Sequence, residues 1–214
     1  RENVIKTAKS LGVNSPLLNS PSIALGTSEV NLLELTSAYN VLANNGNGIF
    51  VHGIRSIENT SGKLLFMREG SGPGKVLDSF VVSTMTKMME QTISSGTGRK
   101  AKINRPAAGK TGTSQSLRDA WFIGFTSDLV VGVWFGNDND SPMNEITGGT
   151  APAILWSDFM QKAHNGVPVK SLNYVSEQKK RKLRNNDKIN RIISKSKRLN
   201  EQKSVFERIL DNFF

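Results

Sequence analysis

A lysine ammonium and two threonine hydroxyls crowd into the run Gly109-Lys110-Thr111-Gly112-Thr113-Ser114. On an exposed strand the lysine supplies a point charge and each hydroxyl a directed hydrogen bond, which together suit an anion. Gly112 has no side chain, so a second backbone can lie directly against the strand and pair with it. A peptide ending in a free carboxylate fits that description, as does a small molecule that mimics such an end. Lys110 can also lower the pKa of a neighbouring hydroxyl or stabilise a proton relay.

Other chemistries fit less well. Gly109-Lys110-Thr111 is also how a phosphate-binding loop ends, but that pattern needs a glycine where Asn104 stands. It also needs a hydrophobic strand before the loop and a helix starting at the lysine. Here Asn104-Arg105-Pro106-Ala107-Ala108 precedes, and strand-like sequence follows. His52 and His164 are far apart and have no partner carboxylate in sequence, so both read as structural or surface residues. Asp138 and Asp140 could suggest calcium, but the later spacing fails the EF-hand pattern and a solvated turn is expected. No cluster has metal-ligand spacing, there is no cysteine, and no cofactor is expected.

The elements that must position the lysine follow from periodicity. Residues 2–11, 32–44, 79–93 and 151–164 read as helices. Asn31 can cap the second, with Glu34 reaching back to complete a capping box. Leu32, Leu35, Tyr39 and Leu42 form its expected stripe. Val82, Met85, Met89 and Ile93 form that of the third, with the methionines as core filler. Residues 49–57 and 63–67 read as strands around the turn-rich 58–62. Residues 120–125 and 129–135 read as a hairpin around Thr126-Ser127-Asp128. Both hairpin strands are nearly continuous in apolar residues, so their sheet should be covered on both faces.

The net charge of +10 is uneven. Residues 1–168 hold 15 Lys/Arg against 13 Asp/Glu, whereas 169–214 hold 13 against 5. A globular domain over 1–168 and a basic, partly helical or disordered tail over 169–214 are therefore expected. Lys179-Lys180-Arg181-Lys182 and the helically spaced Ile189, Ile192, Ile193, Val205, Phe206, Ile209, Leu210 and Phe213 belong to that tail. It could meet an anionic membrane surface. No recognisable nucleic-acid module accompanies it.

With Asp119-Ala120-Trp121-Phe122-Ile123-Gly124-Phe125 downstream, the Lys-Thr-Gly-Thr run resembles the third active-site motif of a penicillin-recognising transpeptidase. Three more stretches resemble class A penicillin-binding proteins in family order. They are Pro21–Glu29 with Leu35–Gly46, then Ser95-Gly96-Thr97-Gly98-Arg99, and Gly148-Gly149-Thr150-Ala151-Pro152. The resemblance covers about residues 1–165. It implies an α+β fold like that of serine β-lactamases and D,D-transpeptidases, an antiparallel sheet flanked by helices and incomplete at its N-terminal side. The implied reaction is cross-linking of peptidoglycan stem peptides by acyl transfer from D-Ala-D-Ala, on the outer face of the bacterial cytoplasmic membrane. β-Lactams would acylate the same serine. Lys110 would act as electrostatic or proton-relay catalyst. Lys110, Thr111 and Thr113 would bind the donor carboxylate, and Gly112 would let its backbone dock.

The sequence departs from that pattern in one respect. The family's Ser-x-x-Lys nucleophile and Ser-x-Asn motifs precede the Lys-Thr-Gly element. Here Ser176–Lys179, Ser194–Lys197 and Ser171–Asn173 all follow it, in Ser/Lys-rich sequence that offers no apolar helix. They read as chance matches. The start at Arg1-Glu2-Asn3, inside a helix-like stretch, suggests that upstream sequence, including the membrane tether, lies outside the chain. A fragment without its nucleophile would be inactive by itself. The alternative is a non-catalytic remnant or interaction module whose basic tail binds anionic surfaces.

Overall fold

The computed structural model describes residues 1–70, 72–172 and 174, together with the single positions 186, 190 and 194. Helix α1 (Glu2–Ser10) closes at Leu11 before Gly12, which takes φ +100°. Helix α2 (Leu32–Ala43) is capped by Asn31, whose side chain accepts from the Glu34 N–H at 2.8 Å. The other half of the expected capping box does not form. The Glu34 carboxylate instead accepts from the hydroxyl and N–H of Ser15, at 2.6 and 3.2 Å. The Ser15 hydroxyl holds the Glu34 pKa below its ordinary value.

Strands β1 (Ser56–Glu58) and β2 (Leu64–Met67) pair antiparallel, with Ile57 opposite Phe66. Asn59 organises their turn by accepting from the N–H groups of Ser61 and Lys63. The first strand is far shorter than the expected 49–57. Every residue of both strands is exposed, so no buried face extends the pairing. Helix α3 (Ser79–Ser94) is capped by the Asp78 carboxylate on the Phe80 N–H. It buries Val82, Met89 and Ile93 with Ser83 and Thr86, while Met85 turns outward.

Strands β3 (Ala108–Thr113), β4 (Asp119–Phe125) and β5 (Val130–Gly136) form an antiparallel sheet in that spatial order. Helix α4 (Ala151–Ala163) carries Pro152 in its first turn, where the missing N–H costs nothing. Side chains alternate across β4, and each face finds a cover. Phe122 joins Trp156, Ala153 and Met160 of α4 with Ile93 and Ala101. Phe125 joins Ala108, Met89 of α3 and Leu172, with Tyr39 and Leu42 of α2 against them. Burial raises the Tyr39 pKa. Glycines let the helices approach: a Cβ on Gly132 would strike Thr36 of α2, and one on Gly124 would lie 2.9 Å from Trp156.

His164 is a buried structural residue. Its Nδ1–H donates to the Met160 carbonyl at 2.7 Å, and the Thr126 hydroxyl donates to Nε2 at 2.9 Å. That assignment follows from the network, since a carbonyl can only accept. Thr126 Oγ1 also accepts from the N–H groups of Asp128 and Leu129, fixing the β4–β5 turn. His52 lies at the surface, with Nδ1 3.0 Å from the Phe50 carbonyl.

The compact unit runs from Arg1 to Tyr174, past the expected domain boundary at 168/169. Leu172 is only 4% exposed within the α2/α3-side core. Lys170 pairs with Asp128 at 2.6 Å, and Lys87 lies over the Tyr174 ring at 5.9 Å. Burial, and then Glu90, push the Tyr174 pKa up. Val175–Phe214 form a second unit. The charge run 179–182 and the apolar positions from Ile189 to Phe213 lie outside the described residues, as do the Ser176–Lys179 pair, Asn173 and Lys197.

Candidate functional site

β3 pairs with β4 on one side and leaves its other edge open among the described residues. Which backbone groups face that edge follows from register. Ser114 N donates to Asp119 O at 3.0 Å, so the Ser114/Asp119 pair is hydrogen-bonded. Antiparallel ladders alternate, so Gly112 and Lys110, opposite Trp121 and Ile123, also bond to β4. Thr111 and Thr113 therefore turn their N–H and C=O groups to the open edge.

The side chains alternate as well, and this alters the compact receptor expected from the sequence. Lys110 and Gly112 share one face of β3, and Thr111 and Thr113 the other. Lys110 Nζ bends to the open edge and donates to the Thr111 carbonyl at 2.8 Å. Thr111 Oγ1 lies 2.7 Å from Thr97 Oγ1, and Thr113 Oγ1 accepts from the Gly148 N–H at 3.0 Å. Lys110 and Thr113 are exposed and Thr111 is half-buried, so a solute can reach the edge.

Gly112 has a packing reason of its own. A Cβ there would lie 3.2 Å from Trp121 Cβ, and a Cβ on Gly148 would collide with the Gly112 and Trp121 carbonyls. The loop around Gly148 lies directly on β3 at this point. Thr97 and Gly148 are the site neighbours that local sequence reasoning did not single out. Both sit inside stretches that carried the family resemblance. No periodicity could have announced contacts spanning 14 and 35 residues.

The flanking turn is occupied by protein groups. Arg118 pairs with the Asp140 carboxylate at 2.6 Å, and the Asn137 amide donates to the Ser141 carbonyl. Trp134 Nε1 donates to Asp119 at 2.9 Å, tying β5 to the start of β4. Among the described residues, no three His, Cys, Asp or Glu side chains are placed to hold a metal. No described helix is long and apolar enough to cross a membrane.

The model of the penicillin-binding protein transpeptidase domain matches residues 5–161, including every residue of β3 and its neighbours. The chain belongs to that family. It is 36% identical over 174 residues to penicillin-binding protein 2D of Bacillus subtilis, an alignment covering 77% of this chain and 25% of that protein. It is 34% identical over 166 residues to penicillin-binding protein 1A of Neisseria meningitidis, covering 74% and 21%. These relatives are class A penicillin-binding proteins, and the chain spans about a quarter of their length. Among solved structures, PonA1 from Mycobacterium tuberculosis superposes with a TM-score of 0.73 at 24% identity, over 81% of this chain and 52% of that one. PonA1 has also been solved in complex with penicillin V, a likeness with a TM-score of 0.72. The α+β architecture, with its antiparallel sheet between helices, is that of these transpeptidase domains.

Proposed function

We propose that this chain supplies the substrate-carboxylate strand of a D,D-transpeptidase that cross-links peptidoglycan stem peptides. The observation that carries the reading is the open edge of β3, where Lys110 and the Thr111 and Thr113 hydroxyls stand beside backbone groups that β4 does not pair. A stem peptide ending in D-Ala-D-Ala would pair its backbone with Thr111 and Thr113 as an added strand. Its carboxylate would take charge from Lys110 and hydrogen bonds from the two hydroxyls. Lys110 would further stabilise charge or relay a proton during acyl transfer. β-Lactams would enter by the same carboxylate, a reading supported by the PonA1 complex with penicillin V. No metal or cofactor is invoked. The site would work at the extracytoplasmic face of the bacterial cytoplasmic membrane, and the basic residues after Tyr174 would meet anionic lipid.

The serine nucleophile would come from sequence beyond these 214 residues, which carry Ser-x-x-Lys only after Lys110. The same observation favours a second reading, a non-catalytic remnant or interaction module. Labelling with a fluorescent penicillin separates the two. The 214-residue chain should form no stable acyl-enzyme, because its serines lack an activating partner. Joined to an upstream transpeptidase segment with Ser-x-x-Lys, it should label. Failure to label in that joined form would favour the remnant, and labelling of the chain alone would refute the assignment of the nucleophile.

A further inference from the structure

Thr97 stands between two glycines that leave it little freedom. After α3 ends, Gly96 N–H donates to Gln91 O at 2.8 Å and Gly98 N–H to Thr92 O at 2.9 Å. A Cβ on Gly96 would lie 2.9 Å from Thr92 Cα, and one on Gly98 2.9 Å from Phe122. The turn is thus pressed against the end of α3 and the sheet, with no room for side chains on either side of Thr97. A Cβ on Gly149 would strike the Thr97 carbonyl, so the loop that reaches Thr113 braces Thr97 too. The Thr97 hydroxyl is exposed and lies 2.7 Å from that of Thr111.

We propose that Thr97 is a positioning residue that sets the Thr111 hydroxyl as a hydrogen-bond donor to the ligand carboxylate. This rests on the carboxylate reading of the β3 edge. A hydroxyl has one proton and two lone pairs. When Thr97 donates to Thr111 Oγ1, the Thr111 proton is released toward the edge. Thr113 is set in the same sense, because it accepts from the Gly148 N–H and keeps its own proton free. Two donors then face the carboxylate, each polarised by the bond it accepts. Without Thr97, the Thr111 proton has no preferred direction and must be oriented at the ligand's expense.

The test uses the 214-residue chain titrated with benzylpenicillin and with its methyl ester, followed by the backbone amide NMR signals of Thr111, Thr113 and Gly148. The wild type should bind the acid more tightly than the ester. Thr97→Val, which keeps the shape and loses the hydroxyl, should weaken the acid by about tenfold, the order expected for one hydrogen bond. Ester binding should stay unchanged, and Thr97→Ser should restore the acid. An equal loss for acid and ester, or no loss at all, overturns the role of Thr97. Lys110→Ala separates the two levels. If it loses the acid while Thr97→Val does not, the carboxylate site stands and only Thr97 is excluded. If the wild type treats acid and ester alike, the carboxylate reading fails and the Thr97 inference with it.

Discussion

Phe122 of β4 and Trp156 of α4 meet edge to face, their ring centroids 5.3 Å apart at an interplanar angle of 61°. Both side chains are fully buried. The Trp156 indole also donates to the Val131 carbonyl at 3.1 Å, so one residue fastens α4 to two strands of the sheet. The strand that carries Lys110 borrows its rigidity from this contact, because Phe122 pairs directly with Thr111.

Phe122→Ala should therefore cost about 3–5 kcal/mol, the range for emptying an aromatic site in a close-packed core. Urea unfolding of residues 1–174 would show it as a lower midpoint at unchanged slope. A cost below about 1 kcal/mol would mean that the α4 face is loosely packed.

Lys110→Ala should weaken fluorescent-penicillin labelling of the joined, nucleophile-bearing form by roughly 2 kcal/mol, about thirtyfold in apparent affinity or rate. Its fold should be unchanged, because the side chain is exposed and, among the described residues, bonds only to the Thr111 carbonyl. Equal labelling of the variant would remove the residue's assigned role.

Cutting the chain after Tyr174 should leave the melting behaviour of the first unit intact, whereas cutting after Pro168 should destabilise it. The difference lies in Leu172 and the Lys170–Asp128 pair. Leu172→Ala alone should cost about 2–4 kcal/mol. Identical melts for the two truncations would favour the boundary at 168/169.

The Lys170–Asp128 contact also gives a pH signature. The hydrogen bond from Lys170, then that from Ser127, holds the Asp128 pKa below its ordinary 3.8. A depressed folded-state pKa contributes stability above the unfolded value and loses it as pH falls through the folded one. The stability gap between wild type and Lys170→Ala should thus be full at pH 6 and close as the pH drops below about 4. The pair is partly exposed, so added salt should also narrow the gap at pH 6. A gap that widens on acidification would contradict the assignment.

The sequence made α2, α3 and α4 legible because each turns residues at helical spacing to the core, whereas α1 buries none, and the β4–β5 hairpin because its strands are apolar on both faces. It misled where a local rule had a distant competitor. Glu34 had the spacing of a capping box but found Ser15, and no rule about α2 alone could announce that. The apolar stretch from Ile49 read as a long strand, yet pairing needs a partner edge, and only Ser56–Glu58 has one. Leu172 was grouped by composition with the basic tail, and its packing with Met89, Ala108 and Phe125 depends on tertiary approach. At the site, the Lys-Thr-Gly run was plain. The opposite faces of Lys110 and Thr111 followed from strand alternation and could have been read in advance. The partners Thr97 and Gly148 depended on tertiary approach and could not.

The two bonds that fix the site hydroxyls differ in when they can form. Thr97 is synthesised 14 residues ahead of Thr111, whereas Gly148 follows Thr113 by 35. On a growing chain, one support waits for the strand and the other arrives long after it. The Gly148 loop leads directly into α4, which begins at Ala151 and packs on Phe122 through Trp156. The Gly148 contact is thus made well after the strand itself, and a chain halted near residue 140 would carry Lys110 on a strand whose Thr113 hydroxyl lacked its Gly148 donor.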